Sequence, residues 1–277
     1  MIYINHIQSQ KIPALGFGTW RLKGSECLTS VAKALEVGYR HIDTAQIYDN
    51  EAEVGSALQS SGIKRSDIFL TTKVWITEFH DGALQKSVDI SLKKLKTDYV
   101  DLLLLHWPSK DVPMAEQMKA LQQVQKEAKT KLIGVSNYNV ALMKEARETI
   151  GAPIVNNQVE YHPYLSQKPV LDYIRAQGMF LTAYTPLAKG KTKDDSTLIK
   201  IAKKYGKTTE QVTLRWLLQQ EGVATIPRSG NEKHIRANFE VFDFVLDAGE
   251  MKEIFALARP DGRMSNPDIA PEWDKAA

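Results

Sequence analysis

Short apolar runs alternate with segments of helical period along most of the chain. The runs are PALGFG (13–18), HIDT (41–44), IFLTTK (68–73), VDLLLLH (100–106), KLIGVS (131–136), IVNNQ (154–158), MFLTAY (179–184) and VATIP (223–227). Between the first two, Leu28, Val31, Ala32 and Leu35 fall at i, i+3, i+4 and i+7, with Gly38 as a stop. Leu84, Val88, Leu92 and Leu95 mark a second helical face, and Leu142, Ala146 and Ile150 align in a helix over 139–150. The same period predicts helices near 51–60, 114–126, 168–177, 196–205, 208–220, 232–240 and 248–258. The run at 100–106 is apolar without alternation, as befits a parallel strand covered on both faces.

Eight strands separated by helices imply parallel pairing through helical crossovers. Eight such units in about 250 residues match a closed (β/α)8 TIM barrel, an α/β fold. Residues 1–277 then read as one domain, with a short hairpin over 3–12 plugging the barrel floor. An extra helix is expected after strand seven and another at the C-terminus. A doubly wound open sheet is the alternative. It would carry a third glycine after the first strand, but Gly16 and Gly18 are followed by Arg21 where that glycine belongs.

Composition narrows the partners. With 36 basic and 33 acidic residues the net charge is +3, too balanced for nucleic acid or a membrane surface as the main partner. At 277 residues and 43% hydrophobic content the chain can bury a core without staples. Cys27 is the sole cysteine, so neither an intrachain disulfide nor a cysteine metal cluster can form. The six histidines are scattered and no HExxH occurs, so no metal site is expected. The N-terminus has no secretory pattern, and the longest apolar run is far below the ~20 residues of a membrane span. A cytoplasmic protein is the expectation.

In a barrel of this kind the active site lies at the C-terminal ends of the strands. The residues there are Gly18, Thr19 and Trp20; Asp43; Lys73; His106; Ser136 and Asn137; Gln158; Tyr184; and Arg228 with Ser229. Each alone has an ordinary reading as a cap, a solvated charge or a packed ring. Topology, however, brings them to one mouth, with Tyr48 close by in sequence. A free phenol has a pKa of about 10, too high for easy proton donation at neutral pH. An ammonium ~4 Å away attracts the phenolate by roughly 4 kcal/mol at an effective dielectric of ~20. That would lower the phenol by up to ~3 units. A carboxylate would hold the lysine, and a histidine would orient a carbonyl oxygen. Lys73 as a Schiff-base nucleophile of an aldolase remains open, although an Asp43 partner keeps the amine protonated.

Long motifs around these residues resemble the aldo-keto reductases. GYRHIDTAQIYDNEAEVG (38–55), SLKKLKTDYVDLLLLHWP (91–108) and IPRSGNEKHIRAN (226–238) are similar to the family's three signatures, with GVSNY, NNQVEYHP and AYTPLA in order between the last two. The resemblance covers nearly the whole chain. It implies a barrel that binds NADPH at the strand ends, with Tyr48 as proton donor, Lys73 tuning it, Asp43 paired with Lys73, and His106 orienting the substrate. It further implies cofactor contacts from Gly18, Thr19, Trp20, Asp43, Ser136, Asn137, Gln158, Tyr184, Leu187, Arg228, Ser229, His234 and Asn238. Tyr184 would stack on the nicotinamide, and Arg228 and Ser229 would clamp the 2′-phosphate beside a helix N-terminus.

His234 stands where the family commonly has arginine. A mostly neutral imidazole without a bidentate fork predicts weaker preference for NADPH and some use of NADH. The substrate pocket would be walled by Trp20, Tyr48, Trp75, His106 and Trp107. The tail NPDIAPEWD (266–274) places the chain nearest the bacterial group that reduces 2,5-diketo-D-gluconate and methylglyoxal. A short C-terminal loop should leave that pocket open. The solvated segment KGKTKDD (189–195) would fold over the cofactor pyrophosphate. The family's frequent state implies a monomer, and an NADPH-binding regulatory subunit with little turnover is the alternative to an enzyme.

Overall fold

The structure is a computed structural model that describes residues 1–275. Strands β1 (Tyr3–Ile7) and β2 (Gln10–Pro13) form an antiparallel hairpin. Eight parallel strands follow: β3 (Phe17–Gly18), β4 (His41–Asp43), β5 (Phe69–Val74), β6 (Val100–Leu105), β7 (Thr130–Ser136), β8 (Asn156–Glu160), β9 (Phe180–Tyr184) and β10 (Val223–Thr225). They pair in chain order. The ring closes where Gly16 and Gly18 donate to the carbonyls of Thr225 and Pro227 at 2.8 and 3.0 Å, and Thr225 donates to Ala14 at 2.7 Å. The fold is therefore the (β/α)8 barrel expected from the alternating pattern.

The first apolar run behaves differently from its neighbours. Pro13 ends the hairpin, Phe17–Gly18 forms a two-residue strand, and Leu15 adds an isolated parallel bridge to Thr225. Gly16 and Gly18 serve this seam. A Cβ on Gly16 would meet the His41 ring at 2.8 Å, and one on Gly18 the Ile226 carbonyl at 2.7 Å. The hairpin buries Ile4, Ile7 and Ile12. Its exit lies at the floor, where Pro13 O sits 3.1 Å from Nδ1 of His41, the first residue of β4.

The helices are α1 (Gly24–Val37), α2 (Glu51–Ser60), α3 (Ala83–Leu95), α4 (Met114–Lys126), α5 (Val140–Lys144), α6 (Lys168–Ala176), α7 (Ser196–Tyr205), α8 (Thr209–Leu218), α9 (Glu232–Phe239) and α10 (Ala248–Phe255). The expected helix over 139–150 is α5 followed by a π turn at Glu145–Thr149. α7 is the extra helix after strand seven, capped by Asp195 on the amides of Thr197 and Leu198. α10 carries a capping box in which Asp247 and Glu250 satisfy each other's amides. Residues 188–194 are helical turns rather than a wholly solvated loop, and Ala188 and Thr192 are buried. None of these helices is long and apolar enough to cross a membrane.

Candidate active site

β4 ends on Asp43 and β5 carries Lys73, whose side chains meet inside the barrel mouth. Lys73 Nζ lies 2.6 Å from Asp43 Oδ1, and both residues are buried. Nζ also donates to the Thr44 carbonyl at 2.8 Å and reaches the Tyr48 hydroxyl at 3.4 Å. Asp43 Oδ2 accepts from Gln158 Nε2 at 2.8 Å. The carboxylate is thus held on both oxygens, and the ammonium faces two oxygen acceptors before the phenol. Tyr48 sits at the end of a tight turn, Gln46–Tyr48, that leaves β4 through Thr44 and Ala45. Asn50 ties this turn down: its Oδ1 accepts from Thr44 Oγ1 at 2.7 Å, and its Nδ2 donates to the Thr19 and Leu22 carbonyls at 2.9 Å each. Gln46 Oε1 accepts the Trp75 amide at 3.0 Å, joining the turn to the end of β5.

His106, just past β6, faces Tyr48 edge-on at 5.6 Å between ring centres and Trp75 at 5.3 Å. Trp20 leans on Tyr48 at 4.8 Å and is half exposed. The structure therefore gathers Asp43, Tyr48, Lys73, His106, Trp20 and Trp75 from the ends of four strands. Trp107 is buried, and its partner was not expected: Trp273 of the C-terminal tail packs on it at 6.3 Å.

Burial governs the electrostatics of the mouth. Burial pushes the Tyr48 phenol well above its ordinary range, and Asp43 and Tyr184 push it further. Asp43 and the Thr44 carbonyl lie closer to the Lys73 ammonium than the phenol does and offset part of its charge, so burial dominates at Tyr48 in this state. Burial draws the lysine down while Asp43 opposes it. The His106 imidazole is pushed well below its usual value by burial and then by Lys73, so it is neutral at pH 7. The mouth thus holds a protonated phenol and a neutral imidazole, each able to offer a hydrogen bond to an oxygen, above a buried ion pair.

The remaining candidates form two groups. Ser136 Oγ donates to the Gln158 carbonyl at 2.8 Å, Asn137 Nδ2 to the His106 carbonyl at 3.0 Å, and Tyr184 Oη to Asn137 Oδ1 at 2.8 Å. These hydroxyl and amide groups, one strand apart, suit a carboxamide, and Tyr184 offers a ring beside them. Gly18 and Thr19 line the seam at the same rim, with Thr19 Oγ1 donating to the Asp43 carbonyl at 3.0 Å, and Leu187 is half-buried after β9. The second group surrounds the start of α9. Arg228 and His234 are exposed, Ser229 Oγ accepts the Asn231 amide at 3.0 Å, and Asn238 is buried. An exposed cationic side chain and a hydroxyl near a helix N-terminus suit a phosphate.

Three residues that sequence reasoning did not single out complete the mouth. Glu160, at the end of β8, accepts the amides of Met264 and Ser265 at 2.7 and 2.8 Å. Arg263 lies over the Trp273 ring at 3.6 Å. The tail NPDIAPEWD contains Trp273, but the sequence offered it only as a marker of likeness, and the structure packs it on Trp107.

A family model described as Aldo/keto reductase family matches residues 14–259. Methylglyoxal reductase DkgB of Escherichia coli O157:H7 is 44% identical over 95% of this chain and 99% of its own. Glyoxal reductase of Bacillus subtilis (strain 168) is 40% identical over 93% of each. A crystal structure provisionally named 2,5-diketo-D-gluconic acid reductase B superposes with a TM-score of 0.97 at 51% identity, covering 99% of this chain and 98% of that one. A Gox0644 variant in complex with NADPH superposes with a TM-score of 0.88 at 34% identity over 94% of each chain. Matches of this extent, on a barrel whose strand ends converge on one mouth, show that the chain belongs to the aldo/keto reductase family and is an oxidoreductase of carbonyl compounds that works with a nicotinamide cofactor.

Proposed function

We propose that this chain reduces small aldehydes and ketones to alcohols with NADPH, acting on 2-oxoaldehydes such as methylglyoxal or on 2,5-diketo-D-gluconate. The observation that carries this reading is the Lys73 ammonium, held by Asp43 at 2.6 Å and set 3.4 Å from the Tyr48 hydroxyl. A bound reduced nicotinamide supplies the hydride. Tyr48 then gives its proton to the carbonyl oxygen as negative charge develops there. The phenolate left behind has the Lys73 ammonium at hand, so the ion pair does its work in the transition state and not in the resting enzyme. Neutral His106 donates a hydrogen bond to the same oxygen and fixes its direction. Ser136, Asn137 and Gln158 hold the carboxamide, with Tyr184 against the ring, and Gly18, Thr19, Trp20 and Leu187 line its surroundings. Arg228, Ser229, His234 and Asn238 hold the adenosine end.

The aldolase alternative is disfavoured by the same geometry. Lys73 is fully buried and its amine is committed to two oxygens, which leaves no path for a carbonyl carbon to reach it. The test is loss of NADPH absorbance with methylglyoxal, 2,5-diketo-D-gluconate and a panel of aldehydes and sugars. Turnover of a small dicarbonyl is expected. No turnover across the panel would sink the proposal.

A further inference from the structure

The first turn of α1 packs on the loop that enters α9. A Cβ on Gly230 would run into the Glu26 carboxylate, whose Cδ would lie 3.1 Å from it. Gly230 is not among the glycines with positive φ, so its backbone does not call for glycine. The missing side chain instead leaves room for the acid. Gly230 stands between Ser229 and Asn231, the N-cap of α9, whose Oδ1 accepts the Lys233 amide at 2.9 Å. The carboxylate therefore rests on the same short loop that offers Arg228 and Ser229 to a phosphate.

The other acids of this corner are matched by cations. Glu232 takes Lys33 at 3.3 Å and Arg236 at 3.1 Å, and Glu36 takes the same two at 2.6 and 3.1 Å. Lys23, the N-cap of α1, is turned to the Tyr48 carbonyl at 2.6 Å and to Asp49 at 3.6 Å. Glu26 is exposed and belongs to none of the ion pairs among the described residues. An acid in a first turn suits the dipole of its own helix wherever the side chain points. That accounts for an acid in α1 and not for its position on Gly230. A phosphate monoester carries about two negative charges at pH 7. A carboxylate beside its site opposes it and leaves a hydroxyl in the same place almost unaffected.

We infer that Glu26 narrows the preference for NADPH over NADH: its carboxylate repels the 2′-phosphate that distinguishes the two cofactors. This rests on the reading above, in which the start of α9 receives the adenosine end. It adds to that reading a charge that opposes Arg228 and acts from a different helix than His234.

The experiment is fluorescence titration of NADPH and NADH in the wild type, Glu26→Gln and Glu26→Lys. Glu26→Gln keeps the shape and removes the charge. NADPH should then bind about three- to tenfold more tightly, with NADH within about twofold of the wild type. Glu26→Lys should gain more for NADPH than Glu26→Gln does. Calorimetric titration with adenosine 2′,5′-bisphosphate and adenosine 5′-monophosphate locates the effect. The first should gain as NADPH does, and the second should not. Unchanged NADPH affinity in Glu26→Gln overturns the inference. So does an equal gain for NADPH and NADH, which would mean that the charge acts on the pyrophosphate they share. A gain for NADPH without one for the bisphosphate overturns it as well. If the wild type binds neither cofactor, the reductase reading falls and takes the inference with it. If the wild type binds both and their ratio does not move in Glu26→Gln, the inference falls alone.

Discussion

At the scale of single residues, the mouth separates holding a proton from giving it. Burial keeps the Tyr48 proton in place, and the ammonium at 3.4 Å matters once that proton has left. Tyr48→Phe should therefore lower kcat for carbonyl reduction by about a hundred- to ten-thousandfold. NADPH affinity, followed by fluorescence titration, should stay within about twofold, and retained turnover would remove Tyr48 from the chemistry. A second test lies at His234, exposed in the first turn of α9. His234→Arg should raise the preference for NADPH over NADH, and unchanged relative affinities for the two would refute a phosphate role there. Protonation of His106 gives a third. The folded protein holds this imidazole, and that of His41, below the ordinary value, mainly by burial. The unfolded chain takes up those protons near pH 6.5. Between the depressed folded values and about 6.5 the unfolded state binds more protons, so stability rises with pH and is lost as pH falls through that window. His106→Gln removes one of these protons, and the urea midpoint should then depend less steeply on pH between about 5 and 6.5. An identical slope would show that His106 is not kept neutral.

Elements were legible in the sequence wherever they hide one face and show the other. α1 and α3 announced themselves through their apolar spacing, and β6 through an unbroken apolar run. The catalytic candidates were legible for a related reason: a parallel barrel sends every strand end to the same rim, so Asp43, Lys73 and His106 could be grouped without seeing them. β3 was not legible as a two-residue strand, because a pair of residues has no period and its glycines answer to a seam formed with Ile226, some two hundred positions away. The tail was not legible either. Glu160 grips it by the amides of Met264 and Ser265, and every non-proline residue carries the same amide. Stops, by contrast, leave a mark. Gly178, between α6 and β9, has φ +62 and open space where a Cβ would sit, and the Met179 amide returns to the Ile174 carbonyl at 2.9 Å. Gly178→Ala forces a side chain into left-handed backbone and should cost about 1 kcal/mol, read from the denaturant midpoint. Because this turn is at the floor, kcat should not change. A loss of activity beyond the loss of folded protein would contradict that separation.

For the whole molecule, closure of the ring and alignment of the site are one event. Gly18 pairs with Asp43 in the ladder, the Thr19 amide donates to the Asp43 carbonyl, and the Gly18 amide bridges to Pro227, two residues past the last strand. Asp43 in turn holds Lys73, which sits against Tyr48. A side chain on Gly18 would press on the Ile226 carbonyl, which belongs to the backbone and cannot swing aside. Gly18→Ala must therefore widen the seam and carry Asp43 with it. Its cost should be about 1–3 kcal/mol, of the same order as the floor substitution or somewhat larger. The two variants should differ in kind: Gly18→Ala should lose kcat as well as stability, because misplacing a reacting group by a fraction of an ångström weakens catalysis steeply. Measuring midpoint and kcat for both alanine variants under the same conditions decides the matter. If Gly18→Ala is destabilised as expected yet turns over at the wild-type rate per folded molecule, the seam closes the barrel without setting the site.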